Sequence, residues 1–404
     1  MRIGPDKAFH LTYCSNIHPG NGWPEVFGNL EKYAPALKSI LSPAAPFGIG
    51  LRLSSKESEA LLAGEEIERF KSFLDDHGLY LFTLNGFPFG AFHRQRVKAG
   101  VFAPDWRTEE RLRYTLRLVE ILRRLLPDGM EGSISTSPLS YKRWVIPNDP
   151  ESWETMIRHL VQVASALVCT KEETGKVIHL DIEPEPDGLI ENSIEAVDFF
   201  RKYLLPIGAP LLAAALQRPV PRAERDLLEH IRICYDTSHM AVEYEEAESA
   251  LDLLQRAGIQ IGKVQISAAL KMTVPSDPEP LKALSDRLRP FSESIYLHQV
   301  IERNAQEGLR HYADLSDLFP ITRSLDSREW RIHFHLPLFF SGEGPLHSTQ
   351  GETARLLQLL NKRRFTSHLE IETYTWDILP PGLKRDLVES IAEEYRWVLE
   401  QMKS

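Results

Sequence analysis

Short runs in which apolar and polar residues alternate recur along the chain, separated by longer stretches with three-to-four spacing. In "VIHLDIEPEPDG", residues 177–188, Ile178, Leu180 and Ile182 fall on one face of an extended segment, and His179, Asp181 and Glu183 on the other. Comparable runs are "HLTYCS", "FGIGLRLS", "LYLFTLNG", "GSISTSP", "IRICYDTSH", "GKVQIS", "RIHFHLPLF" and "SHLEIETY", which makes nine strand candidates. Helical spacing predicts core-facing helices over 25–41 (Val26, Leu30, Tyr33, Leu37, Ile40) and 108–126 (Leu112, Leu116, Val119, Leu122, Leu126). Asp149-Pro150 reads as an N-cap followed by a first-turn proline, opening a helix that ends near Gly175. Further helices are expected over 192–205, 243–257, 348–363 and 382–401.

Strand and helix in alternation predict a parallel sheet with helices outside, and eight such units close a (β/α)8 barrel. One strand candidate is then surplus, so either "GKVQIS" or "RIHFHLPLF" belongs to the wall while the other flanks it. Residues 290–315 hold two β-prone runs around "NAQEG" and read as a hairpin inserted between repeats, the insertion reaching about 325. The expected organisation is a single barrel domain over 1–404.

What sets these strands apart is their second face. A barrel lumen is commonly filled by Val, Ile and Leu. Here the faces opposite the apolar ones read His179, Asp181, Glu183; Cys234, Asp236; Lys263, Gln265, Ser267; His333, His335; and His368, Glu370, Glu372. Buried without partners, such groups would each be strongly destabilising. Mutual ion pairs, water or a divalent cation can compensate them, and a cation accounts for carboxylates and imidazoles gathering together at strand ends. Glu183, Asp236, His335 and Glu372 each stand at or near the end of a strand, where barrel active sites form. A buried ion-pair network is the competing explanation.

Charge and composition narrow the chemistry. The net charge is −10 and no dense Lys/Arg block is present, which argues against a nucleic-acid partner. Hydrophobic residues at 43% and charged residues at 26% describe a globular chain with a large core. Three widely spaced cysteines, an N-terminus without an apolar signal region and no run of membrane-spanning length lead to the expectation of a cytoplasmic protein. No glycine-rich phosphate motif is present, and no base stands at a readable spacing from Cys14 or Cys234.

The strand-end set, with Asp236 and His239 in "CYDTSHM", resembles the xylose isomerase-like superfamily of sugar isomerases, ketose epimerases and endonuclease IV-type enzymes. "NGFPFGAFH", "STSPLSYKRW", "LDIEPEPDG" and "IETYTWDILP" further resemble the EboE family of bacterial metabolite-traffic proteins. The superfamily resemblance implies a divalent metal (Mn, Mg or Zn) held by Glu183, Asp236, His239, Glu372 and a seventh-strand ligand, with Glu370 one layer deeper. That ligand is Gln265 if "GKVQIS" is the wall, favouring Mg or Mn, and His333 or His335 if "IHFHLPLF" is, favouring Mn or Zn. Glu183 and Glu372 are then the candidate catalytic bases of an isomerase or epimerase acting on a polyol or sugar-like metabolite. His18, Trp23, Asn85 and His93, after early strands, are candidate substrate contacts, and Arg52 is placed to pair with a lumen carboxylate or an anionic substrate. The metabolite-traffic resemblance implies a biosynthetic or export role beside other proteins of its cluster. Two alternatives are a metal-dependent phosphoester hydrolase and a carrier barrel that binds without turnover.

Overall fold

Eight of the nine alternating runs form one parallel set in the computed structural model, which describes residues 1–404 except 94–96, 147, 148, 294, 305, 307, 322–327, 381, 383 and 404. The first seven are β1 (Phe9–Tyr13), β2 (Phe47–Arg52), β3 (Leu79–Asn85), β4 (Gly132–Thr136), β5 (Ile178–Ile182), β6 (Ile231–Asp236) and β7 (Ile261–Ile266). The eighth, His368–Ile371, pairs in parallel with both β7 and β1, and a parallel bridge between Cys14 and Gly50 joins β1 to β2. The ring is thereby closed as a (β/α)8 barrel. "GKVQIS" is its seventh wall strand, and "RIHFHLPLF" is the flanking segment.

Among the described residues, six more strands lie between β7 and the last wall strand: β8 (Leu270–Val274), β9 (Val300–Arg303), β10 (Leu309–Tyr312), β11 (Arg328–Ile332), β12 (Gly342–Glu343) and β13 (Leu346–Ser348). They pair antiparallel in the order β10-β9-β11-β8-β13-β12, and the closing barrel strand becomes β14 (His368–Ile371). The hairpin expected over 290–315 is β9–β10, one edge of this larger sheet. His333 and His335 follow the end of β11. There Leu336 N–H donates to Ala268 O at 2.8 Å, which holds the segment beside the end of β7.

Helices Trp23–Leu41, Glu109–Leu125, Pro150–Thr174, Gln350–Arg363 and Leu387–Gln401 match the expected positions. Asp149 caps Pro150–Thr174 through Glu151 N–H, and Gly175 closes it in the left-handed region. Ser55–Leu62, Glu66–Asp76, Val220–His230 and Pro278–Leu288 are additional helices. The helical stretch Ser193–Leu216 has the length and apolar content of a membrane span. In the fold it packs on Pro150–Thr174 and Val220–His230 as one of the helices around the barrel.

The apolar strand faces pack outward into the main core: Ile178, Leu180 and Ile182, Ile231 and Ile233, Val264 and Ile266, and Leu369 are buried there. The polar faces descend through the lumen in layers. At the bottom His179 Nδ1 lies 2.6 Å from Asp181 Oδ1, and Ser133 Oγ donates to Asp181 Oδ2 at 2.5 Å. Above them Lys263 Nζ donates to Glu370 Oε2 at 2.7 Å and to Ser135 Oγ at 3.2 Å. Two glycines make this filling possible. A Cβ on Gly262 would fall 2.0 Å from Asp181 Oδ1, and one on Gly50 1.8 Å from Glu370 Oε1.

Candidate metal centre

At the C-terminal end of the barrel the carboxylates meet three imidazoles. Glu183 follows β5, Asp236 ends β6, and His239 lies one turn into the short helix Thr237–Val242 that Asp236 caps. Glu372 follows β14, and His333 and His335 enter from the second sheet. Among the described residues, three triads at this rim have ligand atoms within 4.8 Å of one another: His239, His333 and His335; Glu183, Asp236 and His239; and Asp236, His335 and Glu372. All six residues are buried.

The ring nitrogens are fixed by their outer partners. His239 Nδ1 donates to Pro184 O at 3.0 Å and His335 Nδ1 to Glu372 O at 2.8 Å. His333 Nδ1 donates to Gln299 Oε1 at 2.8 Å, and the Gln299 amide is oriented because its Nε2 donates to Glu185 Oε1 and Pro186 O. With the proton on Nδ1, each Nε2 presents a lone pair inward. His239 Nε2 and His333 Nε2 are 3.1 Å apart, and His333 Nε2 and His335 Nε2 are 3.2 Å apart. Facing lone pairs at that distance repel. They match the separation, about 3.3 Å, of neighbouring ligands around a tetrahedral ion with bonds near 2.0–2.1 Å.

Burial keeps the imidazoles neutral: it lowers His239, takes His333 well below its ordinary value and lowers His335 to about 4. The carboxylates respond in opposite ways. Burial, with the Asp236 charge adding, pushes Glu183 up to about 8, and burial followed by Glu183 and Asp236 pushes Glu372 well up. Asp236 is also pushed up by burial, but His239, His335, Ser267 and a backbone N–H outweigh it and hold the group low. Its Oδ1 accepts from Ser238 N–H, His239 N–H and Ser267 Oγ. Its Oδ2 has no hydrogen-bond partner among the described residues and lies 3.7 Å from His239 Nε2 and 4.0 Å from His335 Nε2. Glu183 Oε2 is likewise buried without a partner. Partnerless carboxylate oxygens beside inward lone pairs are a donor set that fits a divalent cation.

Glu372 Oε1 accepts from Asn16 Nδ2 at 2.7 Å and Asn85 Nδ2 at 2.8 Å, so two side-chain amides orient it. Above lies a cavity of about 510 Å³ of empty space, mouth included, lined by Asn16, Asn85, Glu183, His239, His333 and Glu372 below and mainly by apolar and aromatic residues above.

Other expected positions lie elsewhere. Gln265 sits on the wall level with Asp236 and Glu370, and both its amide atoms are buried without partners among the described residues. Glu370 is engaged by Lys263 in the layer below. His18 stacks on Tyr33 at 4.3 Å and lines a small side pocket with Arg52 and His93. His93 Nε2 meets Asn16 O at 2.6 Å and its Nδ1 meets the Tyr296 hydroxyl at 3.0 Å, so it braces the site from outside. Trp23, expected to stack on a substrate, is instead packed on Phe27 and Phe70, with its N–H donating to Glu66. It sits between helices because its ring continues the apolar stripe of Trp23–Leu41. Arg52 pairs with Glu57 rather than with a lumen carboxylate. Sequence reasoning missed Asn16, Glu185, Gln299, Tyr296 and Tyr374. Only the placing of Asn16 in "CSNIHP", directly after the first strand, offered a signal.

No family model matches the chain, and no curated protein matches it. Solved structures resemble the chain over most of its length, among them proteins with a xylose isomerase domain. A D-tagatose 3-epimerase-like protein is 11% identical, with 98% of this chain and 97% of that one covered at a TM-score of 0.48. The IolI protein with a bound zinc atom is 12% identical, with 98% of both chains covered at 0.46. The probable 3-DHS dehydratase AsbF of Bacillus anthracis is 10% identical, with 96% and 97% covered at 0.45. These are likenesses of topology, and the chemistry of the site stands on its own atoms.

Proposed function

We propose that this barrel is a divalent-metal-dependent enzyme of isomerase or epimerase type, acting on a small metabolite that carries a hydroxyl beside a carbonyl. The observation carrying this reading is the trio of inward-facing, neutral Nε2 atoms beside the partnerless Asp236 Oδ2 and Glu183 Oε2. Asp236, His239, His333 and His335 would hold the ion, with Glu183 or Glu372 completing the set, and an imidazole-rich set favours Zn²⁺ or Mn²⁺ over Mg²⁺. Glu370, held by Lys263, lies one layer below it. When bound, such an ion supplies Lewis-acid polarisation of a carbonyl oxygen.

The remaining work falls to the carboxylates. Glu183 and Glu372 both line the cavity from the ends of different strands. One accepts the proton from the carbon next to the carbonyl: the C–H electron pair becomes the C=C bond of an enediolate and the C=O π pair moves onto the carbonyl oxygen. In isomerisation the same carboxyl returns the proton to the former carbonyl carbon while the neighbouring hydroxyl passes its proton to the former carbonyl oxygen; in epimerisation the other carboxyl delivers a proton to the original carbon from the opposite face, and the carbonyl re-forms. Asn16 and Asn85 hold Glu372 in one orientation, and burial raises both carboxyls above their ordinary value. Resemblance to metabolite-traffic proteins supports a biosynthetic or transport context.

Asp236 belongs to two of the carboxylate-containing triads, an arrangement that also suits a pair of ions bridged by one carboxylate, and this favours phosphoester hydrolysis as the second reading. Elemental analysis after reconstitution with Zn²⁺, Mn²⁺ or Mg²⁺, together with proton-to-deuterium exchange in short α-hydroxy ketones followed by NMR, tests the proposal. At least one ion per chain is expected, lost in Asp236→Asn and His333→Asn, with exchange abolished in Glu183→Gln and Glu372→Gln. Less than stoichiometric metal would overturn the metalloenzyme reading, and metal without exchange would favour a carrier. Two ions per chain with hydrolysis of a phosphoester would favour the second reading.

A further inference from the structure

The wall above the metal cluster has the wrong character for a free sugar. Phe92, Tyr296 and Tyr374 pack as a triangle of rings with centroids 4.9, 5.2 and 5.1 Å apart. Phe87, Val101 and Leu297 continue the apolar lining. This wall starts at the cluster itself, since the Tyr374 hydroxyl is 3.4 Å from His333 Nε2. Polar groups that could read a chain of hydroxyls are already engaged: the Tyr296 hydroxyl with His93, and the Lys98 ammonium with Asp314 at 2.6 Å and Glu293 O at 3.1 Å. Hydrogen-bonding capacity is concentrated on the cavity floor, on Asn16, whose Oδ1 has no partner among the described residues, and on Glu183, His239 and Glu372. A polyol seated here would bury hydroxyls against carbon, which costs more than the contact returns.

From this two-ended cavity we infer that the substrate is itself two-ended: a pair of adjacent oxygens directed at the floor and, directly behind them, an apolar ring-sized body against the aromatic wall. The inference rests on the proposed metal centre and narrows its substrate class from polyols to hydroxycarbonyl compounds with an apolar substituent.

Hydroxamates separate the two ends, since one oxygen-pair head can carry different bodies. Binding of acetohydroxamate, benzohydroxamate and the trihydroxylated threonohydroxamate to the zinc-reconstituted full chain is measured by calorimetry. Benzohydroxamate is expected to bind about tenfold or more tightly than acetohydroxamate, because its ring is removed from water against the wall. Threonohydroxamate is expected to gain nothing over acetohydroxamate. In Leu297→Asn and Val101→Ser the ratio between the first two probes falls toward one. Equal binding of all three, or tightest binding of the trihydroxylated probe, overturns the inference while leaving the metal centre standing. If no hydroxamate binds a chain shown to hold zinc, the oxygen-pair end fails too, and the proposed function fails with it.

Discussion

Replacing Glu394 by glutamine isolates one buried charge beneath the site. Glu394 lies on helix Leu387–Gln401, is 1% exposed, and accepts from Thr373 Oγ1 at 2.6 Å and from Leu338 N–H at 3.1 Å. It thus ties the residue after Glu372 to the segment after His335. Burial pushes its carboxyl from an ordinary 4.5 up to about 7, against the opposing pull of the Thr373 and Leu338 hydrogen bonds. Because the folded value lies above the unfolded one, the folded chain holds the proton longer. Its contribution to stability is therefore fully present below about pH 4.5, declines as pH rises, and is lost above about 7. A gap of that size corresponds to about 3 kcal/mol. Glutamine keeps an oxygen for both donors and carries no charge. Glu394→Gln should match the wild type near pH 4 and exceed its stability by up to about 3 kcal/mol at pH 8. Urea unfolding of the metal-free chain at several pH values measures the difference, in which the other carboxyls cancel. A variant less stable than wild type at pH 8, or two curves running parallel from pH 4 to 8, would refute the reasoning.

Two further substitutions probe how the site is held. Gln299→Leu removes the acceptor that keeps the His333 proton on Nδ1, and zinc affinity measured against a chromogenic chelator should fall about 10–100-fold. Unchanged affinity would show that the ring is set by something else. Gly50→Ala places a methyl carbon 1.8 Å from Glu370 Oε1 and 2.7 Å from Tyr13 O, one a side chain and the other backbone. A loss of about 1–3 kcal/mol is expected in denaturant unfolding, and a neutral result would mean that the Lys263–Glu370 layer shifts freely.

The barrel was legible because its strands carry a period-two pattern with both faces strongly marked, apolar toward the helices and charged toward the lumen. Register then placed Glu183, Asp236 and Glu372 on one rim. The second sheet was legible only at its β9–β10 hairpin, since β12 and β13 are two and three residues long and carry no pattern. "RIHFHLPLF" mimicked a wall strand because the alternation of His333, Phe334 and His335 runs on after pairing with the neighbouring strands ends at Ile332. Helices Ser55–Leu62 and Glu66–Asp76 were obscured by the break at Ala63-Gly64, which interrupts a single apolar stripe. Asn16, Gln299 and Tyr374 were harder to read for another reason. Each joins the site through a contact between residues distant in sequence, Asn16 with Glu372 and Gln299 and Tyr374 with His333, and no helical or strand period encodes such a meeting.

The imidazoles have a divided origin. His239 belongs to the barrel, whereas His333 and His335 are delivered by a sheet that folds from a separate stretch of chain. An ion seated among them would act as a rivet across the seam between these two layers, and its grip depends on how they dock. A slide of one layer by a single ångström would open the triangle of nitrogen atoms, so affinity for metal doubles as a gauge of assembly. Each layer in effect proofreads the placement of the other.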